Sequence, residues 1–140
     1  MSAYLTRDPI DVARLLADVA DTGRGGTVLF VGSVRRSEED GPVAAISYSA
    51  YEEMAEVEFE RIVTEVRERW PGVACRAVHR VGEVPVGEPS IAVVAAAPHR
   101  REAFDACRFT IDEAKRRLPL WKRERFDDGT TRWRESVEEG

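Results

Sequence analysis

Val73-Ala-Cys-Arg-Ala-Val-His-Arg-Val81, Gly82-Glu-Val-Pro-Val-Gly-Glu-Pro89 and Ser90-Ile-Ala-Val-Val-Ala-Ala-Ala97 follow one another without a break. The first segment alternates, with Val73, Cys75, Ala77, His79 and Val81 on one side, the period-two signature of a strand with one face in the core. The third is an unbroken apolar run of strand length, as a central strand requires. Between them, the glycines and prolines of Gly82–Pro89 read as a turn-rich connection, so two strands succeed each other with no helix between. The pairing has a counterpart upstream. Thr27–Arg35 is a β-rich run emerging at a basic end, Ser37–Pro42 is a polar, acidic loop expected to be mobile, and Val43–Tyr51 alternates loosely as a second strand. Strands in pairs with helices between the pairs predict an α+β domain, not a doubly wound parallel sheet.

Three helices frame these pairs. Asp8-Pro9 reads as an N-cap with proline at the first helical position, followed by an apolar face of Val12, Leu15, Leu16 and Val19 and a stop at Gly23–Gly26. Glu52–Trp70 carries Ala55, Phe59, Ile62, Val66 and Trp70 on one face and ends at Pro71-Gly72. Pro98 opens a third helix, His99 to about Leu118, with Phe104, Cys107, Ile111, Ala114 and Leu118 predicted inward; Pro119 breaks it. Leu120–Phe126 and Thr131–Val137 flank the Asp127-Asp128-Gly129 turn as a C-terminal β-hairpin. Residues 1–140 are therefore expected to form one domain, an antiparallel or mixed sheet with three helices. The acidic tail at about 136–140 is expected to fray.

Of the 21 Lys and Arg residues only two are lysines, Lys115 and Lys122, seven positions apart in Lys115-Arg-Arg-Leu-Pro-Leu-Trp-Lys122-Arg-Glu124. A guanidinium keeps its proton; an amine at the edge of a core can release it and act as base, acid or nucleophile. Lys115 follows Ile111 by one helical turn and so sits where core meets solvent, with Arg116, Arg117, Lys122 and Arg123 as expected cationic neighbours. Lys122 lies on an extended segment beyond Pro119 that can fold back towards the helix end, which lets both amines face one cleft. Trp121 is expected on the opposite side as packing, and Glu124 on Lys122's side, where it can orient the amine.

Charge is unevenly spread. The net charge is −5, yet His99–Arg125 holds nine basic and five acidic residues, +4, which leaves −9 for the remainder. An acidic protein with one positive island excludes general nucleic-acid binding and suits a small anion or an acidic peptide tail. His99, Arg100 and Arg101 open the third helix, whose free N–H groups favour anions. Arg35 and Arg36 end a strand in the same manner. His79 is read as a core histidine. Cys75 and Cys107 lack metal or redox spacing and read as buried thiols of a cytosolic protein. The chain shows no signal-peptide pattern, membrane-length apolar run, phosphate-cradling glycine loop or metal-spaced cluster, so a soluble, cytoplasmic protein without metal or cofactor is expected.

Several stretches together resemble the large, catalytic subunit family of molybdopterin synthase. They are Phe30-Val31-Gly32-Ser33-Val34-Arg35, Tyr48 to Met54-Ala55, His79-Arg80-Val81-Gly82-Glu83, Val86-Gly87-Glu88, Ala97-Pro98-His99-Arg100, Ala103-Phe104 and Lys115 through Glu124, closed by Asp128-Gly129 and Trp133. The resemblance implies a hammerhead-type α+β fold. It implies transfer of sulfur to cyclic pyranopterin monophosphate from the C-terminal Gly-Gly thiocarboxylate of a small ubiquitin-like subunit, forming the dithiolene of molybdopterin. It further implies a homodimer of large subunits within a heterotetramer. Carried over residue by residue, Lys115 and Lys122 are catalytic and Arg35, His99 and Arg100 bind the substrate's anionic groups; Ser33 and Val34, lining the pocket by their backbone, and Arg123 and Glu124 beside Lys122 are expected to join them in binding substrate. A non-catalytic module that only holds an acidic tail is the competing reading, and Lys→Arg substitution separates the two.

Overall fold

The computed structural model describes residues 4–36 and 41–134. Its central element is β6 (Pro89–Ala97), buried along nearly its whole length because both of its faces are covered. Ile91, Val93, Ala95 and Ala97 face one core; Ala92, Val94 and Ala96 face another. β6 runs antiparallel to β4 (Ala74–Arg80) on one side and to β2 (Gly26–Ser33) on the other. The two-residue β1 (Leu5–Thr6) adds to β4 in parallel, giving a mixed sheet in the order β1-β4-β6-β2.

Helices cover both faces of this sheet. α1 (Val12–Val19) sets Leu15 and Val19 against Ala92, Val94 and Ala96. On the other face lie α2 (Glu52–Arg69), with Ala55, Phe59, Ile62 and Val66, and α3 (Arg100–Arg117), with Ala103, Ala106, Cys107 and Ala114. Phe59 and Ile62 are fully enclosed, each contributing about 1.5–3 kcal/mol by burial. In α2, Glu52 and Glu53 open the helix and Arg67 and Arg69 close it, in accord with the helix dipole. Arg117 ties α3 to α2 by ion pairs with Glu58 (2.7 Å) and Glu65 (2.8 Å), while Glu113 of its own helix adds a third carboxylate.

A second, wholly antiparallel sheet has the order β5-β3-β7-β8, from β5 (Gly82–Pro85), β3 (Val43–Ala50), β7 (Leu120–Phe126) and β8 (Thr131–Arg134). Tyr48 and Val84 of this sheet bury with Val34 in a small core of their own. β7 and β8 form the expected hairpin, turning through Gly129 at φ 88°, a value that glycine takes without strain.

The α+β class and the three helices agree with the sequence reading; several details do not. The strands form two sheets, not one. The cap of α1 is Asp11, whose side chain accepts from the Arg14 amide; Asp8 and Pro9 precede the helix. β5 lies within the segment read as a mere connection, and Pro85 is tolerated there because β5 is an edge strand. β1 is too short to show a period. Phe104 is not inward but 59% exposed, because α3 rests on the sheet along the small residues Ala103, Ala106, Cys107, Thr110 and Ala114. Trp121 packs against little and is 49% exposed. The acidic loop at 37–40 and the tail at 136–140 lie outside the described residues. Among the described residues no helix is long and apolar enough to cross a membrane.

Candidate active site

Helix α3 stops at Arg117, where Leu118 caps it through its amide to the Ala114 carbonyl (3.1 Å) and Pro119 denies it another turn. The chain doubles into β7, and the Tyr51 amide bonds the Pro119 carbonyl (3.2 Å), fixing the corner between helix and sheet. Lys115, in the last turn of α3, and Lys122, in β7, thereby come to line one cavity of ≈ 20 Å³ with Tyr48, His79, Ile91, Ala114, Leu118 and Leu120. Lys122 stands opposite Tyr48 in the β3–β7 ladder. The two amines expected to share a cleft do so.

The electrostatics around Lys115 differ from the expectation. Arg116 is paired with Glu113, Arg117 is held by three carboxylates, and Arg123 lies over the Trp133 ring at 5.6 Å. Of the four predicted cationic neighbours only Lys122 lines Lys115's cavity. Lys115 is half-buried and makes no ion pair or hydrogen bond among the described residues.

Two residues that line the lysine cavity were assigned no site role from the sequence. His79 is in the core, as expected, but it also lines the lysine cavity. Its Nδ1 lies 2.7 Å from the Arg80 carbonyl oxygen and its ring meets Tyr48 edge-on, centroids 5.0 Å apart. Burial pushes the imidazole down from 6.5 to about 4, the Arg80 carbonyl opposing and the Lys115 and Lys122 amines adding to the shift. His79 is therefore neutral at neutral pH. A histidine on the apolar side of a strand was the available signal; Tyr48 entered the sequence reading only as the first residue of one resembling stretch, with no role attached.

The other predicted residues divide. Ser33, the last residue of β2, and Arg35, two residues beyond it, are exposed, and Arg35 has no ion pair among the described residues, whereas Arg36 bonds Asp127. Val34 does not offer its backbone to a ligand. Its amide donates to the Glu88 carbonyl (3.0 Å), its carbonyl accepts from Gly87 (2.7 Å), and its side chain packs with Tyr48 and Val84. Glu124, 1% exposed, accepts two hydrogen bonds from Arg132 (3.0 and 2.7 Å) and does not line the cavity. Arg123 points to the opposite face of β7 from Lys122, towards Trp133.

His99 and Arg100 are remote. They sit at the N-terminus of α3, exposed, where a Cβ on Gly26 at the start of β2 would come within 2.9 Å of the Arg100 Cα. The fifteen residue-to-residue steps of helix from Arg100 to Lys115 span about 22 Å. Within one chain, therefore, His99 and Arg100 share a pocket that Arg35 does not line. Between the two ends runs a groove of ≈ 940 Å³ along β2 and α3, lined by Val28, Phe30, Phe104, Arg108 and Ile111 and reaching Lys115. Among the described residues no group of histidine, cysteine or acidic side chains is arranged to hold a metal ion.

Fold and site together define an α+β protein with an open groove that reaches a pair of amines where a helix end meets a strand. The family model of the MoaE protein matches residues 5–117. The chain belongs to the MoaE protein family. It is 45% identical over 89% of its length to a molybdopterin synthase catalytic subunit from Pyrococcus abyssi, spanning 86% of that protein, but only 37% of longer relatives from Drosophila. Its fold matches molybdopterin synthase from Staphylococcus aureus with a TM-score of 0.90 at 28% identity, covering 96% of this chain and 98% of that one. It also matches a Helicobacter pylori complex of subunits 1 and 2 of molybdopterin-converting factor, TM-score 0.79 at 22% identity, covering 93% and 88%. The chain thus stands among the enzymes of molybdopterin biosynthesis.

Proposed function

We propose that this chain is the catalytic subunit of a molybdopterin synthase. It transfers sulfur from the C-terminal thiocarboxylate of a small ubiquitin-like subunit to cyclic pyranopterin monophosphate, in the cytoplasm, to form the dithiolene of molybdopterin. The observation that carries this reading is the shared cavity of Lys115 and Lys122 at the end of a groove large enough for an extended peptide tail. Lys115, half-buried and free of ion pairs among the described residues, meets the thiocarboxylate carbonyl or exchanges protons there. Lys122 stabilises the negative charge that develops as sulfur displaces oxygen. Arg35 and the neighbouring Ser33 receive the pterin's phosphate and polar edge.

His99 and Arg100 serve the phosphate of the other protomer's site in a homodimer, since they lie too far from their own Lys115. Val34, Arg123 and Glu124 act indirectly, holding the strand ends that carry Arg35 and Lys122. The exposed Trp133, 63% accessible on the edge strand β8, marks a surface for the partner copy.

Reconstitution with a thiocarboxylated small subunit tests the assignment in single-turnover dithiolene formation. Lys115→Arg is expected to lower the rate by about 10²-fold or more, the scale of lost proton-transfer catalysis. Near-normal turnover would mean that only charge matters at this position, as in a module that binds a tail without acting on it.

A further inference from the structure

The His79 side chain is 6% exposed, yet it is not sealed off. Its Nδ1 lies 2.7 Å from the Arg80 carbonyl oxygen, and a carbonyl only accepts. The proton is therefore on Nδ1, and Nε2 keeps a lone pair. Nε2 makes no hydrogen bond among the described residues. Arg80 Nε is the sole buried side-chain nitrogen or oxygen there without a partner, so Nε2 must be reached through the cavity that His79 helps to line.

That cavity, ≈ 20 Å³, has room for about one water molecule. Its polar side chains are the Tyr48 hydroxyl from β3, His79 from β4, the Lys115 amine from α3 and the Lys122 amine from β7. Charged ammonium groups only donate. A water donating one proton to Nε2 turns its own lone pairs towards those donors, and the edge contact with Tyr48 keeps the imidazole from rotating away.

We propose that His79 is a positioning residue for the reacting amine: through one water in this cavity, its Nε2 lone pair holds the Lys115 ammonium in place between turnovers. Arg80 fixes the tautomer through its backbone. Lys115 is the amine held because it lines the cavity half-buried and makes no ion pair or hydrogen bond among the described residues, so its ammonium is left to donate to the water. The inference rests on the reading of Lys115 as the reacting residue. It explains why the cavity is furnished with a neutral acceptor: a carboxylate there would meet the incoming anion with like charge.

With two histidines and two lysines in the whole chain, side-chain NMR on protein labelled with ¹⁵N in both residue types is readily assigned. In the unaltered chain at neutral pH, the His79 Nε2 signal is expected to be that of an unprotonated nitrogen, and the Lys115 ammonium protons to exchange slowly. His79→Gln places an amide oxygen near the Nε2 position; His79→Asn mimics only the Nδ1 end. The slow Lys115 signal should survive in the Gln variant and vanish in the Asn variant, with kcat about tenfold lower for Asn than for Gln at similar KM. A protonated Nε2 in the unaltered chain overturns the proposal, and so do equal Lys115 signals in the two variants. The NMR measurements need no substrate, so they can fail while Lys115 remains essential, and the Lys115→Arg turnover decides that question separately.

Discussion

The proposed function asks the same side chain for different chemistry at Lys115 and at Lys122, and substitution by arginine separates the two proposed roles. Arginine keeps the charge but not the exchangeable proton, so Lys122→Arg should retain more single-turnover activity than Lys122→Ala, whereas both substitutions at Lys115 should fail alike. Equal and complete loss in both Lys122 variants would show that the second amine also exchanges protons or bonds covalently. His79 adds a dependence on pH. In the unfolded chain its imidazole titrates near 6.5, while burial holds it at about 4 in the fold. Between those values the unfolded chain binds a proton that the folded chain does not, so acidification through this window removes stability and the loss levels off below about 4. By about pH 4.5 the effect amounts to roughly 2–3 kcal/mol. Urea denaturation at pH 7 and at about 4.5 should therefore show a smaller acid loss for His79→Gln than for the unaltered chain; parallel losses would place the acid sensitivity elsewhere.

At the scale of elements, the position of Lys115 depends on how the last turn of α3 is held, and Arg117 holds it. Its guanidinium is gripped by Glu58 and Glu65 across the helix pair and by Glu113 along its own helix; it keeps the Glu65 carboxyl below the ordinary carboxylate range, and against the opposing effect of burial Arg116 and Arg117 together do the same for Glu113. Arg117→Ala leaves three carboxylates facing one another and should cost about 1–3 kcal/mol in thermal or urea unfolding. An unchanged midpoint would show the cluster to be solvated decoration. This tie was invisible in the sequence, where Arg117 counted simply as one more cation beside Lys115. Strong periodicity was legible: α2 and β4 bury the faces their spacing predicted. Legibility failed where size, not period, decides. Phe104 looked like the first residue of α3's inward stripe, but the helix lies on Ala103, Ala106 and Cys107 and turns the larger ring into the groove. β5 and the Asp11 cap were missed because a glycine- and proline-bearing strand and a one-turn shift of a cap leave the local pattern almost unchanged.

Across the whole molecule, the positive island of the sequence is three structures. Its N-terminal part, His99 to Arg101, stands alone at one end of α3; its middle arginines, 116 and 117, are absorbed by carboxylates; its C-terminal part supplies the cavity lysine Lys122. Residue types and chain order named the site, but helix length alone, at about 1.5 Å per residue, already separates Arg100 from Lys115 by about 22 Å. If both act on one substrate, two chains must contribute, and a twofold dimer does this with each site built from the lysine end of one copy and the His99–Arg100 end of the other. Intersubunit complementation tests the arrangement directly. Lys115→Ala and Arg100→Ala chains, each inactive as a homodimer, are co-expressed with different tags and purified through both. Every mixed dimer then has one site carrying both defects and one site carrying neither. Half the sites being intact, the doubly purified species should regain about half the normal rate, and an unselected equal mixture about a quarter. An inactive mixed dimer would show that each site draws Arg100 and Lys115 from the same chain, which would require a rearrangement of α3. A monomer in light scattering at micromolar concentration would remove the dimer itself.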